Sequence, residues 1–156
     1  MLAIKFHHLR ALIHRPYLCL SLLKRFDSTS TTQIEGQEHI IDRYEKICVS
    51  EAQETAHLLH NITDEKDLVH DFPWWQMISC LICASSILLV AGIFARRARL
   101  TDDNIDITAL TDDAETCMKV FEALSARSDG ARIARDMMAR LRERGEQWSK
   151  LDDSHS

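Results

Sequence analysis

The sequence predicts an all-α fold, a bundle-like array of about six helices around one strongly apolar central helix. Hydrophobic residues make up 46% of the 156 residues and charged residues 28%, a balance typical of a globular chain with a real core. Only four glycines and two prolines are present, too few for the many tight turns of an all-β protein. Apolar residues also recur at steps of three and four, the spacing of a helix face.

The first two predicted helices meet at a proline. Residues 2–14 carry apolar side chains at helical spacing. Pro16 is expected to end this helix, because its ring removes a backbone N–H and disfavours the helical conformation at the preceding residue. Proline is favourable in the first turn of a new helix, so residues 17–25 are expected to form a second helix at a new angle. Pro16 and Tyr17 are therefore predicted to form a helix–proline–helix corner.

Two longer helices are expected next, each after a polar loop. The Ser/Thr-rich residues 27–37 precede a predicted helix over residues 38–61. The acidic residues 63–71 precede an apolar helix over residues 74–94.

The last two helices are placed by their capping residues. Thr111 is expected to cap the fifth helix, because two aspartates follow it in the first turn, where acids favour the helix dipole. Ser128 or Asp129 is expected to cap the sixth. Residues 1–150 are predicted to form one helical domain, and residues 151–156 a disordered tail.

The apolar helix admits two interpretations. Residues 74–94, opened by Trp74 and Trp75, contain twenty-one residues without a charge, which is long enough for a membrane span. Small and polar residues at steps of three and four form one stripe along it, which favours a buried helix at the centre of a bundle. The core helix is the favoured prediction. A single membrane span over about residues 74–94, with the arginines after it on the cytoplasmic side, is the alternative.

Charges are arranged in blocks along the chain. Residues 1–26 hold five basic residues and no acid, and residues 27–75 hold eleven acids against three bases. Residues 100–126 hold seven acids against one base. We interpret these blocks as solvated outer faces of helices. The net charge of -5 predicts no direct nucleic-acid binding by this chain. The acid-free start is also similar in composition to a mitochondrial transit peptide.

The sequence offers no site for chemistry. It contains no GxSxG, Walker, GxGxxG or HExxH motif. The CxxC pair Cys80 and Cys83 has no second ligand pair for zinc and lies in an apolar run, so it is predicted to be structural. His57 and His60 share a helix face and are predicted to be a surface pair rather than metal ligands. We therefore predict no catalytic residue, no metal ligand, no cofactor and no enzymatic activity.

A further interpretation is a ligand-responsive sensor. In it, Trp74, Trp75, Met77 and Met118 would line an apolar cavity, although such a set more often belongs to a core.

Four segments, in order, carry a resemblance to a known family. HHLRALIHRPYL at residues 7–18 resembles the helix of the fungal-specific transcription factor domain that runs into an Arg-Pro-aromatic joint. CVSEAQETAHLL at 48–59 is similar to that domain's helix beginning with Cys and small residues. PWWQMISCLICASSILLV at 73–90 is similar to its apolar helix opened by aromatics. CMKVFEALSARSDGARIARDMMARL at 117–141 is similar to its closing helix pair.

The resemblance implies an all-α regulatory domain of a fungal zinc binuclear-cluster transcription factor, in the nucleus and without catalytic residues. The family's six-cysteine zinc cluster does not occur in this sequence, and the earlier half of the regulatory domain has no counterpart. The chain is therefore expected to be the C-terminal part of such a domain, or a truncated gene product. Its partners would be other proteins or the rest of a transcription factor, with an unknown small-molecule effector. Apolar surface is expected to be exposed on the helix over residues 74–94.

Overall fold

The computed structural model describes residues 2–26, 36–62, 73–97 and 106–153. Within these ranges the chain is helical and contains no strand, so the all-α prediction is confirmed. Five helices are described, rather than about six. In chain order they are α1 (Leu2–Phe26), α2 (Glu38–His60), α3 (Trp74–Arg97), α4 (Ile107–Ser125) and α5 (Asp129–Asp153). Most of the two predicted loops before α2 and α3 lies outside the described residues.

The predicted corner at Pro16 is wrong, because α1 runs from Leu2 to Phe26 with Pro16 inside it. An interior proline removes the hydrogen bond to the carbonyl four residues earlier and costs about 3 kcal/mol. Pro16 and Leu12 are both exposed, so water can reach the carbonyl that lost its partner. On the opposite face, Ala11 and Leu18 are buried in the core, one on each side of the proline. Their packing holds both halves of α1 in place.

Two antiparallel helix pairs form the outer parts of the fold. The pairing of His7 with Glu51 and of Ser21 with Glu45 shows that α1 and α2 run in opposite directions. The pairing of Glu115 with Arg142 and of Glu122 with Arg135 shows the same for α4 and α5.

The apolar helix α3 lies between these two pairs and contacts all four other helices. Its largest fully buried side chains are Met77, Leu81, Ile87 and Leu88. They meet Phe121 of α4, which is also fully buried, in one continuous core. Burial of such large side chains is the main favourable term in folding, so α3 holds the two pairs together.

The ends of α4 and α5 differ partly from the prediction. Asp106, not Thr111, caps α4, since its carboxylate accepts hydrogen bonds from the backbone N–H groups of Thr108 and Ala109 at 2.9 and 3.1 Å. Thr111 lies one turn inside the helix. The predicted cap of α5 is confirmed at Ser128, whose Oγ accepts from the N–H of Ala131 at 3.2 Å. Helix α5 ends at Asp153 and so extends into the predicted tail.

Candidate functional site

The four residues singled out from the sequence do not meet at one place. Tyr17 packs against α2, with its ring centroid 4.6 Å from that of Tyr44. Pro16 is exposed on α1. Trp75 is 57% exposed at the start of α3, next to Trp74, the first residue of that helix. Tyr17 therefore has a packing role between α1 and α2, and the structure does not bring these residues together as a binding site.

The cysteines of α2, α3 and α4 are buried thiols. Cys80 and Cys83, the CxxC pair, both lie in the core. Burial raises the pKa of Cys80 to about 11 and also raises that of Cys83. A redox or metal-binding cysteine needs a thiolate, which a raised pKa disfavours. The prediction that this pair is structural agrees with its burial. Cys19 of α1, by contrast, is exposed.

Two buried carboxylates join α1 to α2. Glu51 accepts hydrogen bonds from His7 Nδ1 at 2.5 Å and from Arg10 Nη1 at 2.9 Å. Ser21 Oγ donates to Glu45, which is also buried. A buried carboxylate is costly unless it is hydrogen-bonded, so these contacts favour one register of the two helices. Both carboxylates therefore hold α1 against α2 and form a structural seam between the two helices.

A third buried carboxylate joins α2 to α4. Asp113 accepts a hydrogen bond from Gln53 Nε2 at 2.6 Å, and its other oxygen lies 2.6 Å from His57 Nε2. Burial, followed by the charge of Asp113, raises the pKa of nearby Cys117 to about 12. Nucleophilic catalysis by a cysteine needs a histidine that contacts the thiol, whereas the Nε2 atom of His57 contacts Asp113. The cluster therefore fixes helices and does not activate a nucleophile.

The histidine pair of α2 is divided between two roles. His57 contacts Asp113, while His60 is exposed. Over the described ranges, no three His, Cys, Asp or Glu side chains are placed to hold a metal ion together.

A cavity of about 230 Å³ lies between α3, α4 and α5. Leu88, Gly92 and Met118 are among its apolar lining residues, and Arg142 reaches Glu115 at 2.7 Å beside it. Of the four residues expected to line an apolar cavity, Met118 does so. Met77 is fully buried elsewhere in the core, and Trp75 is exposed. The side chain of Trp74, the fourth of these residues, lies outside the described part, so of the other three only Met118 lines this cavity.

The feature that the sequence reasoning missed is the outer face of α1. We use this name for six large apolar residues that are exposed on one side of the helix, with exposed fractions from 38% to 88%. They are Leu2, Phe6, Leu9, Ile13, Leu20 and Leu23. The expectation of apolar exposure on the apolar helix is wrong, because Trp75 is the one large apolar residue of α3 found exposed in the described part. The signal was present in the sequence, since both faces of residues 2–23 are apolar.

Comparisons of the chain with protein-family models, with curated proteins and with solved structures find no match.

Proposed function

We infer that this chain is a non-enzymatic regulatory and interaction domain of a fungal zinc-cluster-type transcription factor, and that it acts in the nucleus without contacting DNA itself. It would control the activity of a DNA-binding module through contacts with other proteins. The observation that carries the proposal is the ordered resemblance of four segments, because each of the four coincides with elements of one shared core.

The four segments supply most of the buried residues. Residues 7–18 lie in α1, residues 48–59 in α2 and residues 73–90 in α3 and its approach. Residues 117–141 cover parts of α4 and α5 and the turn between them. Fully buried Cys48, Leu88 and Phe121 come from three of these segments. A resemblance that follows the core in this way supports a shared fold, and a shared fold by itself supports no activity.

The chemistry of the described residues supports a role in binding rather than catalysis. The carboxylates Glu45, Glu51 and Asp113 are buried and held by side chains of neighbouring helices. Six large apolar residues are exposed in one row on the outer face of α1. A contiguous apolar surface of this kind is typical of a protein interaction site.

The experiment is a tethering assay in yeast. The full chain is fused to a heterologous DNA-binding module that is inert on its own, and the output of a reporter gene is measured. We expect the fusion to change the output relative to the module alone. Phe121→Ala, which removes a fully buried ring from the core, should abolish the change. An output equal to that of the module alone, with the fusion intact and nuclear, would contradict the proposal.

The alternative function is that of a small single-span membrane protein. Residues Trp75–Arg96 have a mean hydropathy of 2.5 over their most apolar window, which by length and composition is enough to cross a bilayer. The window is 56% buried among the other helices. Insertion would remove α3 from the core and expose the inner faces of α1, α2 and α4 to water, which favours the regulatory domain.

Carbonate extraction separates the two functions. A tagged chain is expressed in yeast, membranes are washed at high pH, and both fractions are blotted. We expect release into the soluble fraction. Retention in the pellet, together with loss of retention when Leu81 and Leu88 are both changed to Arg, would establish the membrane function instead.

A further inference from the structure

We propose that the outer face of α1 is a docking surface for an acidic amphipathic helix of a partner protein. This deepens the proposed function. It rests on that function in one respect, because both make the chain an interaction module. The partner helix would bring apolar residues to the outer face and acidic residues to the cations beside it.

The spacing of the outer face fits a helix better than a less regular partner. Its residues follow one another at alternating steps of four and three from Leu2 to Leu23, with Pro16 filling the position between Ile13 and Leu20. This alternation is the heptad pattern of apolar residues by which two helices pack along a seam. The face is also continuous over nearly the whole of α1, so a partner helix of several turns can be accommodated.

The positive charge of α1 favours a partner with negative charge. The sequence of α1 holds five basic residues and no acid. Lys5 is exposed beside the outer face and makes no ion pair with a described residue. Residues that flank a helix seam determine the choice of partner through charge pairs across it. A partner with Glu or Asp at its flanking positions would find cations here and no repelling acid on α1.

A groove between α1 and α2 extends this positive surface. Arg10 places its guanidinium 5.3 Å from the centroid of the Phe6 ring, and so links the outer face to the groove. Arg43 and Lys46 of α2 line the groove, are exposed and make no ion pair within the described ranges. Of its two acids, Glu51 is already held by Arg10 and Asp42 is exposed, so three cations outnumber two carboxylates in the groove. The groove therefore offers two uncommitted cations to a carboxylate-bearing helix.

The same charges disfavour a parallel pair of α1 helices from two copies of the chain. The flanking positions would bring Lys5 beside Arg10 of the second copy, and like charges there are destabilising. An anionic bilayer would also be attracted by the basic residues of α1, and the vesicle measurement below distinguishes it from a helix. An acidic helix satisfies both the apolar and the charged parts of the surface.

The test measures binding of the full chain to two synthetic peptides of about four heptads by fluorescence anisotropy. Both have Leu and Ile at the seam, and one has Glu at all flanking positions where the other has Lys. We expect the Glu peptide to bind about tenfold or more tightly than the Lys peptide, with an affinity that falls as salt rises.

Matched variants locate the site. L9S/I13S removes two exposed residues of the outer face and should weaken binding of the Glu peptide about tenfold or more. The control I133S/M137S removes two exposed apolar residues of α5 and should leave binding unchanged. Circular dichroism of each variant shows that the helices are retained.

Three results would overturn the proposal. These are equal binding of the two peptides, binding that survives L9S/I13S, and no binding of either peptide. Sedimentation of the chain alone as a dimer that L9S/I13S dissociates would make a second copy the occupant. Binding to vesicles of anionic lipid without binding to the Glu peptide would make a bilayer the occupant. None of these results depends on the transcription assay, so the two proposals fail separately.

Discussion

Two helical glycines beside the cavity should respond differently to the same substitution. Gly145 of α5 is buried, and an added Cβ would lie 2.1 Å from Cδ1 and 2.4 Å from Cγ1 of Ile93 in α3. At Gly92 of α3, an added Cβ would have no neighbour within 4 Å. Replacing a helical glycine with alanine stabilises a helix by up to about 1 kcal/mol. Both substitutions share this gain, so the difference between them measures the contact with Ile93.

The magnitude follows from the two short distances. Carbon atoms pack at about 3.5–4.0 Å, so Ile93 would have to move by more than about 1 Å. Isoleucine in a helix strongly prefers one rotamer, which makes that movement unfavourable. Overpacking of this kind costs about 1–3 kcal/mol. We therefore expect Gly92→Ala to raise the free energy of unfolding by about 0.5–1 kcal/mol, and Gly145→Ala to be less stable than Gly92→Ala by about 1–3 kcal/mol.

The assay is urea unfolding monitored by circular dichroism. Variants are compared when their free energies of unfolding depend on urea concentration with the same slope. Repeating Gly145→Ala in an Ile93→Ala background removes both crowding atoms, and the stabilising effect of alanine should then return. If Gly145→Ala stabilises the wild-type chain as much as Gly92→Ala does, the close approach of α5 to α3 at this point is refuted.

Three other perturbations test the core, a half-buried histidine and the thiols. Phe121→Ala should lower the free energy of unfolding by about 3–5 kcal/mol in the same urea assay, because the ring is fully buried; a loss below about 1 kcal/mol would contradict its place in the core. Burial lowers the pKa of His8 below its ordinary value of 6.5, so the unfolded chain binds the proton first and stability is lost as the pH falls below that value. The advantage of His8→Leu over wild type should thus grow between about pH 8 and about pH 5, and a constant difference would refute the shift. Dithiobis-nitrobenzoate should modify exposed Cys19 rapidly. Cys48 and Cys117 should react only when the chain unfolds, because burial raises their pKa values to about 12. Rapid modification of more than one thiol would contradict this expectation.

The helices that the sequence predicted best are those whose limits depend on local chemistry. Helix α2 follows from the periodicity of its apolar residues. The cap of α5 follows from the hydroxyl of Ser128, which accepts a hydrogen bond from the first turn. The break at Pro16 failed because the cost of an interior proline is local, whereas the packing that outweighs it comes from residues on other helices. The predicted cap at Thr111 is one turn too late, because the two aspartates after Thr111 resemble a first helical turn, whereas the carboxylate of Asp106 caps the helix.

The polar contacts between helices could not be predicted in the same way. Periodicity shows which face of α2 holds Glu51 and His57, but not that the first meets α1 and the second meets Asp113 of α4. Predicting these two contacts requires knowing which helices pack against each other. The exposure of α1 has the same cause, since a helix that is apolar on two sides gives no indication of which side is covered.

The position of α3 makes the stability of the fold unequal along the chain. Since α3 contacts every other helix, it can open only when the whole core opens, whereas α1 can separate from the core while α4 and α5 stay packed on α3. Amide hydrogens in α3 should therefore exchange with solvent only through global unfolding, and those of α1 through a smaller local opening as well. A partner that binds the outer face of α1 would slow exchange in α1 first. The free energy of the local opening of α1 would then determine how much binding at α1 changes hydrogen exchange in the other helices.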